Sequence, residues 1–151
     1  MWTYGHRNVQ GLAWTPDGRM YADEFGQDTW DELNLIQHAH NYGWPIVEGR
    51  KAHAGFTEPL VQWPTDDASP SGLAYNDGSL WMAGLGGRKL WQVTVSDGKV
   101  VGQPKSFLDD YGRLRTVATA PDGSLWVLTN NTDGRGTPGS GDDRILRLQP
   151  R

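Results

Sequence analysis

Polar side chains gather at the ends of three apolar runs near the N-terminus, and they are the first sign of chemistry in this sequence. The runs are Gly11–Trp14, Met20–Phe25 and Leu33–Ile36. Eight polar residues flank them: His6, Arg7, Asn8 and Gln10 before the first run, and Gln27, Asp28, Asp31 and Glu32 between the second and the third. If the runs are adjacent strands, polar groups at the same end can converge on one ligand. The alternative is that Asp31 and Glu32 are ordinary solvated carboxylates in a turn.

The segment that carries these residues recurs along the chain. GLAWTPDGRMYADEFG (11–26), GLAYNDGSLWMAGLGG (72–87) and TVATAPDGSLWVLTNN (116–131) share one pattern of strand, Asp-Gly turn, aromatic residue and second strand. Asp-Gly between alternating runs is a strong hairpin signal, because glycine adopts positive φ without a Cβ clash. A third strand is predicted after each copy, at Glu32–Ile36, Lys89–Val95 and Arg144–Leu148.

The repeat favours a β-propeller. A unit of three or four antiparallel strands recurring every ~45 residues has the size of a propeller blade. We therefore predict an all-β chain, a single partial β-propeller domain over 1–151, with about three four-stranded blades at approximately 1–60, 61–105 and 106–151. An eight-stranded sandwich is the main alternative, but it does not explain the repeated units. Since closed propellers usually need at least four blades, we expect the chain to be part of a longer protein, or to be completed by a second copy or a partner.

Composition agrees with this fold and excludes several functions. Eight Trp, five Tyr, 20 Gly and 9 Pro in 151 residues describe a turn-rich β protein rather than a helical bundle. A net charge of −4 without a Lys/Arg-rich run argues against nucleic-acid binding. There is no apolar run of ~20 residues to span a membrane and no signal peptide in this sequence. With no cysteine, a disulfide scaffold and a thiolate metal site are excluded.

Six motifs taken together resemble a known family. They are GHRNVQGLAW, DELNLI followed by NYGWP, SPSGLAY, YGRLRTV and DDRILRL, in this order. The set resembles the C-terminal half of the soluble glucose/sorbosone dehydrogenases, six-bladed propellers that use pyrroloquinoline quinone (PQQ) and calcium. The resemblance implies oxidation of aldose sugars to lactones, an external electron acceptor, and an extracellular or periplasmic location.

The resemblance also implies roles for individual residues. The expected cofactor contacts are Asn8, Asp31, Arg113 and Arg115, and Asp31 also supports catalysis. The backbone carbonyls of Gly26 and Gln27 are expected to bind the active-site calcium. A second, structural calcium is expected at the side chain of Glu32 and the carbonyl of Tyr42.

General chemistry is compatible with these roles. PQQ is a planar tricarboxylate, and two arginines at i and i+2 of one strand would face the same side and hold an anion through charge-assisted bonds. Considered alone, Arg113 and Arg115 could equally form a solvated strand face. Calcium prefers oxygen ligands in loose geometry, and it would polarise the quinone carbonyls in favour of hydride acceptance.

The sequence departs from the family at two positions. The general base implied by the resemblance is a histidine from an earlier blade, which lies upstream of this chain, so no catalytic residue is assigned here. A family lysine that approaches the quinone corresponds to Gly86. We therefore expect a fragment that holds cofactor and metal with little or no turnover alone. Two other functions stay open: a non-catalytic propeller-like binding module, and a calcium-dependent lactonase-type propeller.

Overall fold

The computed structural model describes residues 1–150, and the chain folds into three antiparallel β-sheets. The first sheet contains β1 (Val9–Trp14), β2 (Met20–Glu24), β3 (Trp30–Ile36) and β4 (Val61–Pro64). The second contains β5 (Pro70–Asn76), β6 (Ser79–Gly84), β7 (Leu90–Ser96), β8 (Lys99–Val100) and β9 (Lys105–Phe107). The third contains β10 (Leu114–Thr119), β11 (Leu125–Thr129) and β12 (Ile145–Leu148). One turn of 3-10 helix, Asp109–Tyr111, precedes β10.

The all-β, partial-propeller fold predicted from the repeat is confirmed. The Asp-Gly turns form as predicted: Gly18, Gly78 and Gly123 have φ of 85°, 78° and 80°. The sheets hold four, five and three strands rather than four each. The boundaries between the sheets lie a few residues after the predicted blade boundaries at 60/61 and 105/106. The reason is that β4 pairs with β3 and β9 pairs with β7.

The three sheets stack face to face, with the second in the middle. One apolar core joins the first two sheets through residues such as Tyr21, Leu33 and Met82. A second core joins the last two, through residues such as Trp81 and Leu125. Strand β6 is buried at all six positions, as expected for the central strand of a sheet that is covered on both faces.

The innermost strands β1, β5 and β10 lie side by side and run in the same direction. Gly11 of β1 sits against Ser71 and Leu73 of β5, and Gly72 of β5 sits against Thr116 of β10. A Cβ on Gly72 would overlap Thr116 Oγ1 and lie 2.7 Å from Thr116 Cα. Two of the three repeated segments begin with glycine, at Gly11 and Gly72. The close approach of neighbouring inner strands explains both glycines.

The outward faces of the first and third sheets remain exposed and apolar. Trp14 on β1 is 55% exposed, and Leu12 is exposed beside it. On the third sheet Trp126, Leu128 and Ile145 are exposed. Trp14 and Trp126 each lie on a face that no sheet of residues 1–150 covers.

Within residues 1–150 there is no helix of the length and apolarity that crossing a membrane requires.

Candidate functional site

The starts of the three inner strands define one end of the molecule, and most of the predicted site residues lie there. Because β1, β5 and β10 run in the same direction, Asn8, Ser69 and Arg113 precede them at a common end. Strand β2 is antiparallel to β1, so the β2–β3 connection, residues 25–29, returns to this end. The backbone confirms the contact, since Phe25 N donates to Asn8 O at 3.1 Å.

Each inner strand has an irregular register near its start. The shifts fall between Val9 and Gly11 in β1, between Pro70 and Leu73 in β5, and between Leu114 and Thr116 in β10. β-Bulges redirect side chains and are common beside binding sites. The repeated irregularity at one level of the molecule marks this end as the candidate site.

Asn8 and Arg115 present polar side chains at this end. Both are exposed, and Asn8 Oδ1 accepts a hydrogen bond from Gln10 Nε2 at 2.8 Å. Arg115 lies within the register shift of β10. These side chains are available to an anionic or hydrogen-bonding ligand.

Arg113 occupies a different environment from Arg115. It precedes β10, its side chain is 11% exposed, and its guanidinium pairs with Asp133 at 3.2 Å. Its Nε is buried with no partner among the described residues. The prediction that the two arginines share a face by strict alternation is not supported, because Arg113 lies outside the strand and the register shifts before Thr116.

The connection 25–29 is held by two buried or half-buried carboxylates. Glu48 Oε1 accepts from the backbone N–H groups of Asp28, Thr29 and Trp30 at 3.0, 2.8 and 2.9 Å. Asp31 Oδ1 accepts from Gly26 N at 2.9 Å. A Cβ on Gly26 would overlap Trp30 O and lie 2.6 Å from Glu48 Oε1, so only glycine fits there.

The carbonyl oxygens of Gly26 and Gln27 are left without a donor. Among the described residues, no backbone or side-chain N–H or O–H donates to either oxygen. Two neighbouring carbonyls in this state are suitable ligands for a hard cation such as calcium.

Arg7 lies over the same connection. Its Nε donates to Gln27 Oε1 at 2.9 Å, its Nη1 donates to Phe25 O at 3.3 Å, and its guanidinium lies 5.7 Å from the ring centroid of Trp44. Arg7 therefore places a cation against the β2–β3 connection.

Behind this loop lies a buried polar cluster that contains Glu32 and Tyr42. Glu32 accepts from Gly49 N at 2.7 Å and from Asn34 Nδ2 at 3.0 Å, and the same Asn34 amide donates to Glu24 at 3.0 Å. Asn34 Oδ1 is buried and unpartnered within residues 1–150. The carbonyl oxygen of Tyr42 has no donor in that same part of the chain.

A cavity of about 10 Å³ lies between Glu24, Glu32, Glu48 and Tyr42. This volume accommodates about one water-sized sphere. Two carboxylates that share one amide, together with an unused carbonyl, are a chemically suitable donor set for calcium. No three His, Asp or Glu side chains of the described chain form a metal-binding group, so backbone carbonyls would have to complete either calcium site.

The histidines of this chain have structural partners. His6 Nδ1 lies 3.0 Å from Glu24 Oε1, Nε2 lies 2.9 Å from Thr3 Oγ1, and the ring stacks on Tyr42 at 4.5 Å. His38, His40 and His53 are exposed. His6 thus supports the polar cluster.

Burial dominates the electrostatics of the acidic groups in this region. It raises the pKa of Asp31 to about 6, and it raises the pKa values of Asp23 and Glu32 above their ordinary range. Burial also acts to raise the pKa of Glu48, but the N–H groups of Trp30, Thr29 and Asp28 outweigh it and hold this pKa below its usual value.

These shifts predict that the metal-free chain is more stable at pH 5 than at pH 7.5. An acid whose pKa rises on folding binds its proton more tightly in the folded state, so stability falls as pH rises between its two pKa values. For Asp31 this window runs from 3.8 to about 6. Urea unfolding at both pH values in EDTA measures the difference. An unfolding midpoint that is higher at pH 7.5 would contradict the assignment.

Sequence reasoning grouped Arg7 with the polar residues before the first strand without giving it a role, and it did not select Glu24 or Glu48. Arg7 adjoins Asn8 in the GHRN motif, and this position was the available signal. Glu24 is the last residue of an alternating strand, where a polar residue is unremarkable. Glu48 contacts N–H groups 18 to 20 residues away, and no local pattern in the sequence predicts that contact.

The chain matches one protein-family model over nearly its whole length. The model is described as "Glucose / Sorbosone dehydrogenase", and it matches residues 1–146. The chain is also 28% identical over 173 residues to the aldose sugar dehydrogenase YliI of Escherichia coli, covering 100% of this chain and 44% of that protein. A shorter match, 50% identical over 56 residues, covers 37% of this chain and 12% of quinoprotein glucose dehydrogenase B from Acinetobacter calcoaceticus.

A solved structure matches both the fold and the sequence. It is the PQQ-bound form of an aldose sugar dehydrogenase from Streptomyces coelicolor, with 56% identity and a TM-score of 0.94. The alignment covers 97% of this chain and 44% of that one. The chain therefore spans less than half the length of these relatives.

Proposed function

Because the chain belongs to the glucose/sorbosone dehydrogenase family, we propose that it forms the part of a PQQ- and calcium-dependent aldose dehydrogenase that holds the quinone and its metal. The observation that carries the proposal is the Gly26–Gln27 carbonyl pair. Its two oxygens lack donors within the described chain. Arg7, which bonds the side chain of Gln27 in the same connection, adds positive charge for an anionic cofactor. The match to a PQQ-bound relative supports the same assignment.

The chain's own residues would bind and orient the cofactor. Arg115 and Arg7 supply positive charge for the carboxylates of PQQ, and Asn8 supplies an exposed amide at the same end. Arg113, which is fixed by Asp133, adds positive charge at the same end, and its Nε has no partner among the described residues. The carbonyl oxygens of Gly26 and Gln27 would bind the calcium ion. Bound PQQ supplies the electron acceptor for oxidation at the sugar's C1, with a lactone as product.

A structural calcium ion is the second part of the proposal. Glu32 and the Tyr42 carbonyl would bind it, and the cavity beside them also borders Glu24 and Glu48. Carboxylate and backbone carbonyl oxygens around one small cavity are the kind of ligand that calcium prefers.

The complete enzyme requires groups beyond this chain. We propose that further blades cover the exposed faces of the first and third sheets, either from an additional N-terminal half or from a second copy. Such blades would bring the histidine that takes the proton of the sugar hydroxyl. The aldose substrate, the external electron acceptor, and an extracellular or periplasmic location belong to the same proposal. The isolated chain is expected to show little or no aldose-dependent dye reduction with PQQ and calcium, and robust turnover would contradict this.

PQQ retention tests the proposed site directly. In equilibrium dialysis, the chain should bind PQQ in the presence of CaCl2 and lose it in EDTA. Arg115→Ala should weaken binding roughly ten- to a hundredfold, because a charge-assisted contact contributes about 1.5–3 kcal/mol. Arg147→Ala is the matched control, since Arg147 pairs with Asp122 in the turn at the far end of β10. Equal binding with and without calcium, or equal effects of the two substitutions, would overturn the assignment.

A further inference from the structure

Each carboxylate oxygen of Asp31 accepts a hydrogen bond from a backbone N–H group, and the two N–H groups belong to two different sheets. Oδ1 accepts from Gly26 N at 2.9 Å, in the β2–β3 connection. Oδ2 accepts from Ser69 N at 2.7 Å, immediately before β5. The side chain is 1% exposed. Because the residue is buried, its carboxylate has almost no surface open to a ligand.

Ser69 is itself held firmly. Its backbone has a positive φ of 46°, its Oγ donates to Thr65 O at 3.1 Å, and its carbonyl accepts from Leu85 N at 2.8 Å. A Cβ on Gly86 would overlap Ser69 Oγ, so the β6–β7 connection also packs against it. Asp31 thus ties the carbonyl-bearing loop to a fixed point on the second sheet.

The other inner strands have comparable acceptors, but these stay within one sheet. Asp23 Oδ1 accepts from Gly11 N of β1 at 2.7 Å. Asn131 Oδ1 accepts from Arg113 N, before β10, at 2.8 Å. Asp23 and Gly11 belong to the first sheet, and Asn131 and Arg113 flank strands of the third. Asp31 is the member of this set that joins two sheets.

We propose that Asp31 is a positioning residue that fixes the Gly26–Gln27 carbonyl pair relative to the start of β5, rather than a direct contact of the quinone. The metal part of this inference rests on the proposed function. A carboxylate is required because it offers two acceptors, whereas an asparagine offers one acceptor and turns a second donor toward an N–H. Metal binding at the carbonyl pair and packing of the first two sheets at this end therefore favour each other.

The link that Asp31 makes between Gly26 N and Ser69 N, here called the brace, can be tested without any cofactor. In the 15N,13C-labelled chain at pH 7.5, through-hydrogen-bond scalar couplings are expected from Gly26 N and from Ser69 N to Asp31 Cγ. Asp31→Asn keeps one acceptor, so it is expected to speed amide hydrogen exchange on the order of ten- to a hundredfold at Gly26 or at Ser69, whichever amide loses its acceptor. Asp23→Asn is the matched control, because it replaces a buried aspartate of the same sheet that bonds Gly11 alone. Asparagine keeps the one acceptor that Asp23 uses, so exchange at Gly11, Gly26 and Ser69 should stay close to that of the wild type.

Calcium alone is the probe for the consequence at the metal loop. In the wild-type chain, calcium should shift the amide resonances of residues 26–28, and Asp31→Asn should weaken the apparent affinity about tenfold, whereas Asp23→Asn should not. Missing couplings to Asp31 Cγ in the wild-type chain would overturn the brace even if Asp31→Asn fails to fold, and so would equal exchange in the two variants. A wild-type chain that shows couplings but no calcium shift would remove the metal from the proposed function and leave the brace standing.

Discussion

Replacing Gly72 by alanine is expected to lower the free energy of unfolding by roughly 3 kcal/mol or more, the upper range for overpacking a tight contact. The added methyl would overlap Thr116 Oγ1 and lie 2.7 Å from Thr116 Cα. The second atom is backbone, so β10 must move away from β5. Since these strands join the second and third sheets, the whole core around Trp81 and Leu125 would be disturbed.

Chemical denaturation of the variant and of Gly139→Ala measures this effect. Gly139 has no positive φ, and a Cβ there would have its nearest neighbour, Asp142 Oδ2, at 3.5 Å. The control should therefore stay within about 0.5 kcal/mol of the wild type. A Gly72→Ala variant as stable as the control would show that the inner strands can separate freely, contrary to the packing described.

Replacing Glu48 by alanine is expected to have the second-largest effect, a loss of about 2 kcal/mol and of calcium binding at the loop. One oxygen of Glu48 accepts three consecutive N–H groups, from Asp28, Thr29 and Trp30. Without this oxygen the three N–H groups have no acceptor. Each one that stays buried would lower the free energy of unfolding by about 1–3 kcal/mol. Partial access of water to this loop lowers the sum. The Gly26–Gln27 carbonyls would lose their fixed orientation.

Glu48→Gln separates geometry from charge in this loop. Glutamine keeps one carbonyl oxygen that can accept the same N–H groups, so it should retain most of the stability that alanine loses. Unfolding curves and calcium titrations of the two variants, followed by amide resonances of residues 26–30, provide the comparison. If glutamine and alanine are equally damaging, the negative charge rather than the acceptor holds the turn.

Local features of this fold were readable in the sequence because they depend on neighbouring residues. The Asp-Gly turns at Gly18, Gly78 and Gly123 follow from backbone sterics, and they appear with positive φ. The third strands were predicted at Glu32–Ile36 and Arg144–Leu148, and they occur at Trp30–Ile36 and Ile145–Leu148. Alternation and turn chemistry are sufficient for such assignments.

The site was less predictable, because long-range contacts and irregular backbone define it. Glu48 acts on residues about 20 positions earlier, and Asp133 reaches Arg113 across the same separation. The expected common face of Arg113 and Arg115 assumed a regular strand, but β10 begins after Arg113 and shifts register beside Arg115. A β-bulge leaves no clear signature in one sequence, so the directions of these side chains needed the structure.

The exposed tryptophans on the outward sheet faces give this chain a built-in optical reporter. Trp14 and Trp126 are 55% and 39% exposed, whereas Trp63 and Trp81 are each 5% exposed. Emission from the first pair should lie at the long wavelengths of hydrated indole. Any polypeptide that covers either face would shift that emission to the blue, and replacing Trp14 or Trp126 with phenylalanine would identify which face had been covered.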